Sequence, residues 1–181
     1  ARYDAETVRY FVLSTHYRSP LAYNADAMDA ATSALSRLYT ALRDVAPGDG
    51  QSDVADGFEA RFTDAMADDL NTPAAIAVLF EMARDCQRLK QEDAQTAGVI
   101  AARLRTLAGR IGLLEQSPQA FLQGQAGEGD LSAETIEAML QARREARSDK
   151  NFARADEIRD ELTAQGIVLE DGPDGTLWRR S

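Results

Sequence analysis

Met28, Ala31, Leu35, Leu38, Leu42 and Val45 recur at alternating intervals of three and four residues, the pattern of a helix that buries one stripe. Ala97, Ile100, Leu104, Leu107, Ile111 and Leu114 repeat the same seam. Between them, Val54, Phe58, Phe62, Ala65 and Met66 predict a shorter helix, and Ile76, Leu79, Phe80 and Ala83 another that reaches about Lys90. Thr72 is placed to cap that helix, with Pro73 at a position where its missing amide costs nothing. Ahead of these, Asp4 can cap a first helix running to about Tyr17, closed by Arg18-Ser19-Pro20. Residues 1–115 therefore read as an antiparallel helical bundle with short connections.

The pattern then changes twice. Gln116 to Asp130 is rich in Gln and Gly, offers only Phe121 and Leu122 to a core, and reads as a linker over residues 116–130. Ser132 caps a helix to about Arg147, and residues 151–165 form a further helix that Gly166 ends. Ile167-Val168-Leu169 and Thr176-Leu177-Trp178 flank Gly172-Pro173-Asp174-Gly175, a β-hairpin signal with a four-residue turn. Residues 131–181 are thus a small α+β module of two helices and a hairpin, and the fold class is mostly α.

Composition agrees and narrows the chemistry. Helix-forming residues dominate and β-branched residues are scarce. Cys86 and His16 are the only residues of their kinds, so the chain cannot build a disulfide framework or a Cys/His zinc site by itself, and a cytoplasmic setting is expected. No apolar run approaches the roughly 20 residues of a membrane span, and Ala-Arg-Tyr-Asp at the start lacks a signal-peptide core. A beginning at Ala1, without Met, suggests a piece of a longer protein. The net charge of -10 repels a polyanion at long range. Twelve of the twenty Lys and Arg residues nevertheless fall between positions 84 and 159, so a nucleic acid would be held by local patches.

No catalytic constellation is present. Asp68-Asp69 with Asn71 could belong to a metal cluster, but carboxylates before a Thr-Pro helix start are ordinary capping chemistry. Gly109-Arg-Ile-Gly112 follows no strand and reads as close helix packing rather than a phosphate loop. Cys86 reads as a small buried hydrophobe. His16, beside Tyr17 and Arg18, could meet a phosphate or simply hydrogen-bond locally. The informative stretch runs through Arg143, Arg144, Arg147, Lys150, Phe152, Arg154, Asp156, Arg159 and Asp160. Phe152, Asp156 and Arg159 stand at i, i+4 and i+7, on one helix face. A ring to stack, a carboxylate to accept from an exocyclic amine and a guanidinium to donate could read unstacked bases. The residues alone equally allow an amphipathic helix whose Phe is core and whose charges pair with each other. Trp178, ahead of Arg179 and Arg180, allows the same two readings.

Three segments carry a family resemblance. Tyr3 to Phe11, continuing through His16-Tyr17-Arg18-Ser19-Pro20-Leu21, resembles the start of the DALR-type helical domain after the KMSKS loop of cysteinyl-tRNA synthetases. Ala65-Met66-Ala67-Asp68-Asp69-Leu70-Asn71-Thr72-Pro73 resembles that family's AM-DD-NTP signature, and Lys150 to Leu162 with Gly166 to Gly172 and Thr176 to Arg180 resembles its final anticodon-recognition domain. The resemblance covers essentially the whole chain. It implies a parent enzyme in which a Rossmann-type domain, absent here, carries the HIGH and KMSKS motifs, ATP and zinc, and charges tRNA with cysteine. This portion is then expected to have no catalytic residues, no cofactor and no metal of its own. Its implied partners are cysteine tRNA and the catalytic domain of the same chain, and it is expected to be a monomer without membrane contact.

Carried over residue by residue, Arg147, Phe152, Asp156, Arg159 and Asp171 match the positions that meet anticodon bases; the family often has Trp where Phe152 stands. His16, Tyr17 and Arg18 are implied near tRNA or a domain junction. The alternative class is a stand-alone helical protein-interaction module, motivated by the net charge of -10. A related ligase joining cysteine to an amino sugar is a third possibility, expected to lack the final module.

Overall fold

The computed structural model describes residues 3–124, 130–172 and 175–180. The chain divides into two compact units, residues 1–118 and 119–181. In the first, five helices follow in order: α1 Ala5–Leu13, α2 Ala25–Arg43, α3 Asp53–Ala67, α4 Thr72–Leu89 and α5 Ala94–Gly109. The expected seams meet in one core, where Met28, Leu35, Leu38, Tyr39, Leu79, Met82, Ile100, Leu104 and Leu107 are almost wholly buried. The mostly α class is what the spacing predicts.

The differences lie at helix ends, where side-chain hydrogen bonding competes with helix continuation. Asp4 caps α1 as expected, but the helix stops at Leu13 rather than near Tyr17. There the Ser14 hydroxyl turns back to donate to the Phe11 carbonyl at 2.8 Å. Asn71, not Thr72, caps α4: its Oδ1 accepts from the Ala74 amide at 3.2 Å, leaving Thr72 and Pro73 inside the first turn. α5 ends at Gly109, so Ile111 and Leu114 lie beyond it, and Leu114 remains buried. Gly109 and Gly112 therefore do not mark close helix packing. A Cβ on Gly109 would meet nothing within 4 Å, whereas Gly112 turns the chain at φ +71° against the Arg9 side chain.

The second unit holds α7 Ala133–Ser148, α8 Phe152–Ala164, and strands β1 Ile167–Gly172 and β2 Gly175–Arg180. Before them, α6 Pro118–Gln123 forms inside the stretch read as linker and buries Leu122. Its last residue is tied by Arg180, whose Nε donates to the Gln123 carbonyl at 2.8 Å. Residues 125–129 of that stretch, and Pro173 and Asp174 of the expected turn, lie outside the described residues. The strands pair antiparallel from Ile167 with Arg180 to Gly172 with Gly175. Ile136, Leu140, Ile158, Leu162, Ile167 and Trp178 make the core of this unit, so Trp178 is a core anchor.

Candidate nucleic-acid interface

Two clusters gather the sequence-predicted residues, one in each unit. In the second unit, α8 buries Ala155, Ile158 and Leu162. Helical periodicity then turns Phe152, Asp156 and Arg159 away from the core. Phe152 is 62% exposed, which rules out the reading in which it is a core residue. Arg159 pairs with Asp156 at 3.4 Å, one turn away, and with Asp160 at 3.4 Å. The amphipathic helix and its paired charges are thus present, but Phe152 is not part of its buried stripe.

The connection between α7 and α8 is short and sharply bent. Lys150 takes φ +59°, the Asn151 amide donates to the Ala146 carbonyl at 2.8 Å, and the Asn151 side chain caps α8 through the Arg154 amide at 3.2 Å. This turn brings exposed Phe152 onto the first position of α8, one short loop after Arg147 in the last turn of α7.

Arg147 meets Asp171 of β1, with Nη1 3.6 Å from Oδ2. Asp171 is held from the other side by Arg143, whose Nη1 and Nη2 donate to Oδ1 and Oδ2, each at 3.0 Å. Thr176 of β2 donates its hydroxyl to Oδ1 at 2.6 Å. The fork of Arg143, then Thr176, holds the Asp171 carboxyl well below the usual carboxylate range. Its side chain is still half exposed. Arg143 itself is buried, and the field of Asp156 reaches it as well. The structure thus joins Arg147 to Asp171 and Asp156 to Arg159.

Arg143 was not among the candidate contacts. A signal for it exists: Ile136, Leu140 and Arg143 stand at i, i+4 and i+7 on the buried stripe of α7. A cation on such a stripe requires a partner.

In the first unit, His16, Tyr17 and Arg18 converge on Asp69. The Tyr17 hydroxyl donates to Asp69 Oδ1 at 2.7 Å and Arg18 Nη2 donates to the same oxygen at 3.0 Å. His16 Nε2 lies 3.9 Å from Oδ2. The His16 and Tyr17 rings stack at 4.9 Å, and the Arg18 guanidinium lies over the Tyr17 ring at 5.3 Å. His16 also bonds locally, its Nδ1 accepting from the Arg18 amide at 3.3 Å. Asp69 and Leu70 take positive φ, 53° and 52°, which aims the Asp69 carboxylate at this cluster while Asn71 caps α4. Sequence reading placed Asp69 in capping chemistry and missed it as the acceptor that organises the three side chains.

Among the described residues no three of His, Cys, Asp and Glu come together so as to hold a metal ion. Cys86 is buried, and burial pushes its thiol up to about 12. Among the same residues no helix is long and apolar enough to cross a membrane.

Residues 61–115 match the DALR domain family, and residues 129–179 match the family described as cysteinyl-tRNA ligase anticodon binding domain. The chain is 54% identical over 180 residues to the cysteine–tRNA ligase of Pectobacterium carotovorum, covering 99% of this chain and 39% of the relative. It is 56% identical over 183 residues to that of Thioalkalivibrio sulfidiphilus, again covering 99% and 39%. With the cysteine–tRNA ligase of Histophilus somni it shares 56% identity over 181 residues, covering 98% and 38%. The chain therefore spans about two fifths of the length of the relatives it matches.

Proposed function

The chain belongs to the cysteine–tRNA ligase family, of which it carries the DALR and anticodon binding domains, and on that premise we propose that the exposed face of α8 and the end of the hairpin read anticodon bases of cysteine tRNA. The observation that carries this is Phe152. A ring 62% exposed at the first position of a helix contributes nothing to its own core and leaves a flat apolar face for a base to stack on. One and two turns further on, Asp156 and Arg159 present an acceptor and a donor beside that ring. Arg147 and Asp171 present a second such pair. In an otherwise acidic protein, the Arg and Lys residues of this region supply phosphate contacts locally.

His16, Tyr17 and Arg18 are assigned to a domain junction with the catalytic part of the family enzyme. The Arg18 charge is already paired with Asp69 and the Tyr17 hydroxyl already donates to it, so they offer a preformed polar surface with an exposed ring, Tyr17, rather than a free cation cluster. ATP-dependent cysteinylation and the zinc of the family belong, in this reading, to the portion of the relatives outside the match.

The test is a titration with cysteine tRNA and with the same tRNA carrying a changed anticodon, at low and stated salt, followed by fluorescence anisotropy. The expected result is a preference for the native anticodon that Asp156→Ala and Arg159→Ala each reduce by about tenfold, the cost of one good base-edge pair. Equal binding to both tRNAs, or none, would instead favour the helical protein-interaction module that the net charge of -10 suggests.

A further inference from the structure

Arg143 occupies a place where a charge is costly. It lies on the core-facing stripe of α7, and only 9% of its side chain is exposed. A buried guanidinium persists where its donors are matched, and here the match is a two-point fork on Asp171, with a further contact from Nη1 to the Thr176 hydroxyl oxygen at 3.3 Å. Asp171 is at the turn end of the hairpin, paired with Thr176 and next to the Gly172–Gly175 pair. The backbone ladder there does not fix a side-chain rotamer, so the carboxylate of Asp171 takes its direction from its hydrogen bonds to Arg143 and Thr176.

A carboxylate has about four lone-pair directions. Oδ1 uses two, for Arg143 Nη1 and the Thr176 hydroxyl, and Oδ2 uses one, for Arg143 Nη2. The remaining direction of Oδ2 is on the side of Arg147, whose Nη1 lies 3.6 Å away, outside hydrogen-bond reach. That leaves one acceptor next to one exposed donor fork.

We propose that Arg143 is a positioning residue for base reading: without touching the nucleic acid, it fixes Asp171 so that a single acceptor direction of Oδ2 remains open beside the Arg147 guanidinium. This rests on the assignment of Arg147 and Asp171 to the tRNA interface made above. The open pair suits a base edge that offers an amine hydrogen next to an acceptor nitrogen. If Asp171 could rotate, both its oxygens would become available and the edge would be read with less discrimination, although every charge would still be present.

The experiment compares the full 181-residue chain with Arg143→Lys and Thr176→Val, each titrated with cysteine tRNA and with the changed-anticodon tRNA. Melting is followed in parallel by the fluorescence of Trp178, the one tryptophan, which sits in the core of the same unit. Arg143→Lys keeps the charge and loses the fork. It is expected to weaken binding of the native-anticodon tRNA about tenfold and of the changed one less than about twofold. Thr176→Val removes one of the two supports and is expected to lower the preference by about threefold. A structural role alone would weaken both tRNAs together and lower the melting point. If Arg143→Lys does not fold, Thr176→Val decides. Variants that melt like the parent and keep its full anticodon preference overturn the inference while leaving the proposed function standing. A parent chain without any preference overturns both.

Discussion

The Tyr39 hydroxyl lies 2.9 and 2.8 Å from the two carboxylate oxygens of Glu6, and both side chains are buried. The Leu114 amide donates to Glu6 Oε1 at 2.6 Å, and the Gln116 amide donates to the Tyr39 oxygen at 3.1 Å. Leu114 takes φ +60°, a strained choice for a non-glycine, so that its amide can reach Glu6. One carboxylate thereby ties α1 and α2 to the segment after α5. Burial first, then the Glu6 hydrogen bond, pushes the Tyr39 phenol far above its usual value, so it stays a donor at any ordinary pH. Tyr39→Phe removes that donor from a buried carboxylate and is expected to destabilise the first unit by about 1–3 kcal/mol. Urea denaturation followed by circular dichroism would measure it; a midpoint unchanged from the parent would mean that Glu6 finds a replacement donor.

Gly112→Ala tests the turn that follows α5. A Cβ there would come within 2.9 Å of Arg9 Nη1 and 3.0 Å of its Cδ, at a φ of +71° that L residues rarely adopt. Arg9 also donates to the Gly112 carbonyl at 2.5 Å and pairs with Glu115 at 3.2 Å. Strain of roughly 1–2 kcal/mol is expected, with displacement of the Arg9 side chain. Gly109→Ala, at the last residue of α5 with open space around it, is expected to be neutral or stabilising by up to about 1 kcal/mol. Thermal melting of the two variants should separate them in opposite directions.

Tyr17 offers a test of the Asp69 cluster that does not depend on tRNA. The hydrogen bond to Asp69 holds its phenol above the ordinary tyrosine value, while the Arg18 contact opposes it. Asp69→Asn removes the negative charge and is expected to bring Tyr17 down in the alkaline range, toward or below the ordinary value. Tyrosine ring resonances in a carbon-labelled sample, followed across alkaline pH, would show it. A Tyr17 titration identical in parent and variant would mean that the side chains do not meet in solution.

Helix positions were legible because burial repeats along them: the stripes from Met28 to Val45 and from Ala97 to Leu107 were enough to place α2 and α5. Their ends were not, because Ser14 and Asn71 act through single side-chain hydrogen bonds that no periodicity records. α6 was hidden by its brevity, a six-residue helix with one buried side chain. In the candidate interface, the face of Phe152, Asp156 and Arg159 followed from spacing, but whether Phe152 pointed in or out depended on which stripe α8 buries. Only the packing of Ala155, Ile158 and Leu162 decides that. Asp69 and Arg143 were in view as residues, but their partners were not, for a common reason. Each organises residues remote in sequence, and one residue's spacing says nothing about a partner 28 or 52 positions away.

The fork on Asp171 should also be visible as an acid limb in the stability of the second unit. Arg143 and then Thr176 lower the folded-state value of this carboxyl below its unfolded value of about 3.9. For a depressed acid the unfolded chain binds the proton first, so the stabilisation is fully present above the unfolded value and is lost as pH falls toward the folded one. Asp171→Asn cannot titrate, and its comparison with the parent cancels the contributions of every other carboxylate. The parent is expected to exceed the variant by a constant margin in urea midpoint above about pH 5, read by Trp178 fluorescence, and to lose that margin progressively below about pH 4. The half-exposed side chain makes the margin small, and salt reduces it further, so low ionic strength is the condition to use. A margin that persists unchanged to pH 2 would show that the fork stabilises Asp171 through geometry alone and not through its charge.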